Sequence, residues 1–334
     1  EMLRQPAFSE GEFDKLQKEA LAGIERGRSE PVMLAMNAIR RKMSPYGSDD
    51  VRYVPTVDEQ VDRIKAVKLE DIERVYTDLL GASVGELAAV GDFDATELSA
   101  AFDKVLADWK SPKPYERIAM PYQAVDADKV VINTPDKAMA LIMLGTTIEI
   151  RDDDDDHTAV QMGNMILGMG GNSRLVNRLR QKEGFSYTAT SMLTTRSEDR
   201  SGSLTAFANS APGNTAKCAD AAREELVKFL KNGVTQQEIA DAKKGYSEQI
   251  KVQLSNDAAV SGMLVRQLRL GRTMAYTQDQ LTRTQTLTVD QVNSAMRKHL
   301  HEERFVEIRA GDLHKKSVST EPKKKRRHRT KQGD

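Results

Sequence analysis

A single cysteine, Cys218, stands in 334 residues. It excludes a disulfide framework and any zinc site built mainly from thiolates. Histidine is nearly as scarce, at five residues: His157, His299, His301, His314 and His328. None of them stands in a His-x-x-Glu-His or His-x-x-x-Glu-His pattern, which restricts the metal chemistry open to the chain unaided. Nowhere does an apolar run approach the ~18 residues of a membrane-spanning helix, so no transmembrane segment is expected. Net charge is also absent, with 50 basic against 50 acidic residues, but this balance hides an asymmetry. Lys323, Lys324, Lys325, Arg326, Arg327, Arg329 and Lys331 crowd the last fourteen residues, leaving the rest mildly acidic. Such a run can contact nucleic acid or anionic lipid. It carries no apolar residue to order it, so a self-repelling solvated tail over 317–334 is expected, and no nucleic-acid partner.

What is present is the patterning of about two folded units. Phe13, Leu16, Ala20 and Ile24 recur at helical spacing behind Ser9 and Glu12, which resemble a capping box. Pro31 opens a second helix. Short helices are expected near 58–63 and 69–80, a strand at 87–93 and a helix at 94–109. Pro112, Pro114 and Pro121 then mark an extended linker over 109–127. Beyond it, strands are expected at 129–133, 138–144, 185–194, 201–209 and 305–310. Helices are expected at 156–169, 173–183, 212–230, 235–253, 256–270, 277–284 and 289–299. The unbroken apolar run 138–144 suggests burial on both faces, yet 138–144 and 185–194 both remain candidates for an open sheet edge.

Residues 61–93 repeat at 281–313 without a gap: Val67 meets Leu287, Leu69 meets Val289, and Ile72 meets Val292. The strand ends coincide too, Val90-Gly91-Asp92 against Ala310-Gly311-Asp312. Upstream, 9–42 parallels 235–267 at a slightly larger shift. A repeat of this length implies duplicated domains. The second copy carries 129–232 ahead of its repeated helices, whereas the first has only eight residues there. The expected fold class is therefore α+β: duplicated mixed-sheet domains with helices packed on one face, the first copy incomplete. Residues 1–108 would be the C-terminal part of a truncated domain and 128–316 a complete one. Roughly one hundred further residues with a strand-strand-helix pattern are expected upstream.

The densest local motif is Gly170-Gly171-Asn172-Ser173-Arg174-Leu175, followed by Leu179, Arg180, Gly184 and Tyr187. A dinucleotide loop is not expected. Ser173 occupies its sixth position, and the preceding element reads as a helix, not a strand. Arg180 suits a helix terminus and Tyr187 an inward strand aromatic, but a binding role for either stays open. The five aspartates 152–156 lack the spaced oxygen ligands and glycine of a calcium loop. They read instead as carboxylates stabilising a helix start. His299-Leu300-His301 reads as a solvated helix end.

The run from Gly170 to Tyr187 closely resembles the C-terminal domain of the pitrilysin/insulinase (inverzincin) family of zinc metallopeptidases, in particular the C-terminal portion of tandem bacterial long-form members. The likeness extends through the Phe8–Phe13 entry helix, both strand ends and the linker, leaving out the basic tail. It implies paired α+β domains enclosing a chamber. One half binds zinc through His-x-x-Glu-His and a downstream glutamate; the other contributes an arginine and a tyrosine seven residues apart that grip peptide near the scissile carbonyl. Arg180 and Tyr187 match that pair. The histidine motif is absent here, so the resemblance implies no catalytic residue and no zinc bound by this chain, although zinc belongs to the full enzyme. Glu19 and Glu25 lie on the helix that donates the last glutamate in zinc-bearing copies, but default here to surface charges. The expected function is that of a substrate-binding half holding an extended peptide for a zinc-bearing partner half, inactive alone; the alternative is a catalytically silent scaffold or binding subunit. Long-form relatives are usually periplasmic, and that location is expected.

Overall fold

The computed structural model describes residues 3–315, so the basic tail lies outside the described residues. Helices come first: α1 (Glu10–Gly27), α2 (Pro31–Met43), α3 (Val57–Ala66), α4 (Leu69–Leu79) and α5 (Ala95–Leu106). After the linker come β1 (Lys129–Asn133), β2 (Ala140–Ile148), α6 (His157–Gly168) and α7 (Arg174–Val176), the last continuing into a π-type turn at Asn177–Lys182. The chain goes on through β3 (Ser186–Thr195), β4 (Gly202–Ser210), α8 (Thr215–Asn232), α9 (Gln236–Leu254), α10 (Asp257–Arg269), α11 (Ala275–Thr286), α12 (Val289–His299) and β5 (Val306–Gly311).

The strands form one mixed sheet ordered β1-β5-β2-β4-β3, with β1 and β5 parallel and the other pairs antiparallel. Alternation along β2 separates two cores. Ile142 and Leu144 face one side, with Leu204, Ala206 and Ala208 of β4, and are covered by α6, α8, α9 and α12. Leu141 and Met143 face the other side, with Ile308 of β5, and pack against Ala35 and Ile39 of α2. The helices that follow β2 thus lie on one face, as the expected fold class has it, while the first segment contributes α2 to the opposite face. On the helix-covered side β5 also carries Glu307 and Arg309. Both are buried, and they pair with each other and with Arg223 and Asp220 of α8. Buried charges are tolerated only when matched in this way.

Two expectations about strands need correction. The run 138–144 is no edge: it forms most of β2, hydrogen-bonded by β4 on one side and β5 on the other. Residues 87–93 form no strand. Their repeat counterpart β5 is held between β1 and β2, but no strand of the described residues lies beside 87–93, and extended backbone without a ladder partner is not a sheet.

The repeat itself is visible in the helices. α4 and α12 have the same length at a shift of 220, and α2 and α10 the same length at 226. Burial differs sharply between the copies. Ile239, Ala242, Tyr246 and Ile250 of α9 are buried, as are Val292 and Ala295 of α12, because α6 packs against both helices. Of the equivalent residues, Leu16 is 61% exposed, and Ile72 and Val75 are also exposed. Leu16 and Ile72 line an apolar groove of about 540 Å³ between α1, α3 and α4, with Phe8, Phe13, Ile64 and Val67.

Candidate functional site: an edge strand and the turn that feeds it

The motif Ser173-Arg174-Leu175 works by anchoring. Leu175, Val176 and Leu179 are buried under the sheet. The Arg174 guanidinium forks onto Glu238 of α9 at 2.6 and 2.8 Å, donates to the Gly233 carbonyl at 2.7 Å, and lies over the Phe229 ring. Glu238 also completes the capping box of α9 with Thr235. Burial pushes the Glu238 carboxyl up, but Arg174 and the Thr235 amide more than offset this, and it ends below the usual range. A bidentate pair of this kind fixes orientation as well as adding energy, so the short helix cannot roll.

The π-type turn then widens the last coil, with Glu183 N–H reaching the Arg178 carbonyl. Gly184 turns the chain at φ +64°, in the left-handed region that favours glycine. Phe185 N–H returns to the Leu179 carbonyl at 2.9 Å. The register of β3 against β4 slips between Ser186 and Ala189, where the Ser186 hydroxyl bonds both the N–H and the carbonyl of Thr188. Bulges of this type re-aim side chains at sheet edges. Here the bulge turns Tyr187 outward, leaving it 82% exposed. The reading of Tyr187 as an inward aromatic is therefore corrected.

Arg180 is exposed on the last turn before Gly184. Neither Arg180 nor Tyr187 has a hydrogen-bond or ion-pair partner among the described residues. The structure brings both to the same helix-to-strand turn, at the entry of β3, whose outer edge carries no further strand of the described residues. A guanidinium, a phenol and an open row of backbone groups can together hold an extended chain by main-chain hydrogen bonds.

At the far end of β3 the aspartate run does more than stabilise a helix start. Asp156 precedes α6 but makes no capping hydrogen bond; its carboxylate goes instead to Lys298 and His299. His299 is therefore no solvated terminus, its ring being almost wholly buried beside Asp156. Buried Asp152 accepts from both terminal nitrogens of Arg272 (3.1 and 2.9 Å), from Arg266 (3.1 Å) and from the Ser197 hydroxyl, while its carbonyl receives the Tyr276 hydroxyl at 2.7 Å. Burial, reinforced by the Asp152 charge, pushes the Tyr276 phenol up to about 12. This cluster ties the β3–β4 hairpin to α10 and α11. The aspartate run was its visible half; Arg272 and Tyr276, more than a hundred residues away, carried no sequence signal.

The donor set does not suit zinc. Among the described residues, no three His, Cys, Asp or Glu side chains are grouped to hold a metal ion. Where α6 meets α9, the space beside the glycine loop is lined by Met165, Ile166 and Met169 together with Glu238 and Asp241, and Glu238 is committed to Arg174. Glu19 and Glu25 lie exposed on α1, Glu25 pairing with Arg28. Cys218 is buried, which pushes its thiol up to about 12 and leaves it inert. Nor is any helix of the described residues long and apolar enough to cross a membrane.

His157 is buried, with Nε2 at 3.0 Å from the Thr195 hydroxyl and Nδ1 without a partner. Burial outweighs the nearby aspartates and depresses its pKa. The unfolded chain takes up this proton from about pH 6.5 downward, the folded chain only at lower pH. Folding stability is expected to decline as pH falls below ~6.5, until the folded value is passed. His157→Gln should flatten that part of a urea-denaturation series, and an unchanged slope would contradict the assignment.

A sheet flanked by repeated helices, with an anchored Ser-Arg-Leu turn feeding its edge strand, is a peptidase-like fold, and no group of metal ligands stands among its described residues. The family described as "Peptidase M16 inactive domain" matches residues 66–246, and the chain belongs to that family. It is 20% identical over 299 residues to "Non-peptidase homolog YmxG" of Helicobacter pylori, covering 90% of this chain and 67% of that protein. It is 24% identical over 221 residues to "Probable inactive metalloprotease YmfF" of Bacillus subtilis, covering 64% of this chain and 49% of that protein. Among solved structures, the peptidase M16 inactive domain from Pseudomonas fluorescens superposes with a TM-score of 0.78 at 25% identity, over 96% of this chain and 74% of that one.

Proposed function

We propose that this chain is the peptide-holding half of an M16-type assembly, presenting an extended substrate to a zinc-bearing half that is not in this sequence. The observation that carries the reading is the exposed pair Arg180 and Tyr187, without side-chain partners among the described residues, at the entry of the edge strand β3. A peptide would add alongside β3 by main-chain hydrogen bonds, its carbonyl facing the phenol and guanidinium. Hydrogen exchange tests this directly. Adding a saturating unstructured peptide should slow the amides of 186–195 and leave the opposite edge strand β1 unchanged; equal exchange with and without peptide would remove the reading.

The second reading is a catalytically silent scaffold, and the names of the two curated relatives favour it. The retained Arg180 and Tyr187 favour the first. As part of the same proposal, residues 1–108 are the C-terminal part of a domain whose sheet lies upstream. The apolar groove between α1 and α4 would seat a helix as α6 is seated between α9 and α12. The assembled protein would work in the periplasm, which cell fractionation checks.

A further inference from the structure

On the sheet face opposite α6, helix α2 covers only part of the strands. Beside it lies a cleft of about 410 Å³, within the roughly 300–1,000 Å³ range of ligand pockets. Its apolar lining comes from Ile39 and Met43 of α2, Met143 of β2 and Phe207 of β4. Met36, Met120 and Met192 stand around it as flexible thioethers, which re-pack around varied apolar partners. One wall is the linker, which is not free: Arg117 forks onto Asp199 in the β3–β4 turn at 2.6 and 3.0 Å, and Met120 N–H bonds the same carboxylate.

The charged side chains that line this cleft are of one sign. Arg40, Arg52 and Arg196 line it and no carboxylate does, the nearby Asp50 and Asp199 being held by Arg52 and Arg117, although the described body of the chain is acidic overall. Arg52 is committed to Asp50 and stacked on Tyr46. Arg40 and Arg196 are exposed, without an ion pair or side-chain hydrogen bond among the described residues. The hydroxyls of Thr194, Ser203 and Thr205 likewise have no hydrogen-bond partner among the described residues.

We infer that this cleft binds an acidic peptide segment: one large apolar side chain enters between α2 and the sheet, and neighbouring carboxylates pair with Arg40 and Arg196. The hydroxyls decide between a peptide and an acyl chain. Amides can satisfy Thr194, Ser203 and Thr205, whereas an acyl chain would dehydrate them without replacement, which is costly. The inference rests on the peptide-holding reading for its class of ligand. It adds a specificity contact at the end of β3 opposite Tyr187, since Met192, Thr194 and Arg196 close that strand.

The test is fluorescence anisotropy on the full chain, using a labelled peptide with one Phe flanked by Asp residues in a Gly/Ser background. Replacing that Phe by Ala, replacing the Asp residues by Asn, or introducing Arg40→Glu with Arg196→Glu should each weaken binding by roughly tenfold or more. Added salt should weaken it further. Both arginines are exposed, so the double variant is expected to fold, which circular dichroism checks. Equal affinity for wild type and the double variant would overturn the inference, as would binding of a long-chain fatty acid with no binding of the peptide. A peptide that slows exchange along β3 yet ignores both arginines eliminates the cleft and leaves the edge-strand reading standing. No peptide binding of any kind eliminates both.

Discussion

Asp152→Ala is expected to lower the unfolding free energy by about 3–5 kcal/mol, the cost of removing one partner of a buried ion pair. The size follows from what remains. The Arg272 side chain is only 16% exposed, and without Asp152 it would sit over the Tyr276 ring with Asp153 as its remaining anion, 3.5 Å away. Ser197 and Arg266 would lose the same acceptor. Asp152→Asn keeps the shape but not the charge and should cost less. The pH dependence has its own window. Burial pushes the Asp152 carboxyl up, but hydrogen bonds from Arg272 and Ser197 and the two guanidinium charges hold it below its usual range. Its contribution is therefore complete above about pH 4 and lost as pH falls through the lower folded value. The His157 window opens at higher pH, near 6.5. Urea denaturation of Asp152→Ala, Arg272→Ala and the double variant measures the coupling; a single-variant loss within about 0.5 kcal/mol would mark the cluster as ordinary surface.

Tyr187→Phe is expected to lower turnover of the assembled enzyme by roughly 10²–10³, the scale of losing one donor to a developing oxyanion. The same change should leave the melting temperature of this chain unaltered. The hydroxyl makes no hydrogen bond to the described residues, and the ring is largely in solvent, so nothing internal is lost. That separation makes the variant informative: a fall in kcat with intact folding indicates a role at the reacting carbonyl. Arg180→Lys keeps the charge but loses the planar fork, so it should raise KM more than it lowers kcat. Unchanged turnover in Tyr187→Phe would remove the assigned role and favour the silent scaffold.

Much of this fold was legible because period and punctuation agreed. Thr235 and Thr288 cap α9 and α12 with Glu238 and Gln291 three residues on, in keeping with the helices expected at 235–253 and 289–299. Ser9 caps α1, but without the reciprocal bond of a full box. The 87–93 segment misled because its residues specify a strand while a strand also needs a neighbour, which pattern cannot supply. The β2 run carried its own answer, since an apolar stretch without alternation is buried on both sides. The outward turn of Tyr187 depends on the Ser186–Ala189 register slip, invisible to alternation. The Asp152 cluster joins segments far apart in sequence, and only folding discloses such pairs. The Ser-Arg-Leu motif was legible as a motif, but its physical role, Arg174 locking onto Glu238, required the helix packing.

The central claim is that this polypeptide grips peptide but does not cut it. The direct measurement is made on the purified chain alone, dialysed against zinc, assayed for bound metal by elemental analysis and for cleavage of an unstructured peptide by mass spectrometry. The account expects zinc well below one per chain and an intact peptide whose presence slows exchange along β3. One zinc per chain together with cleavage products would contradict it.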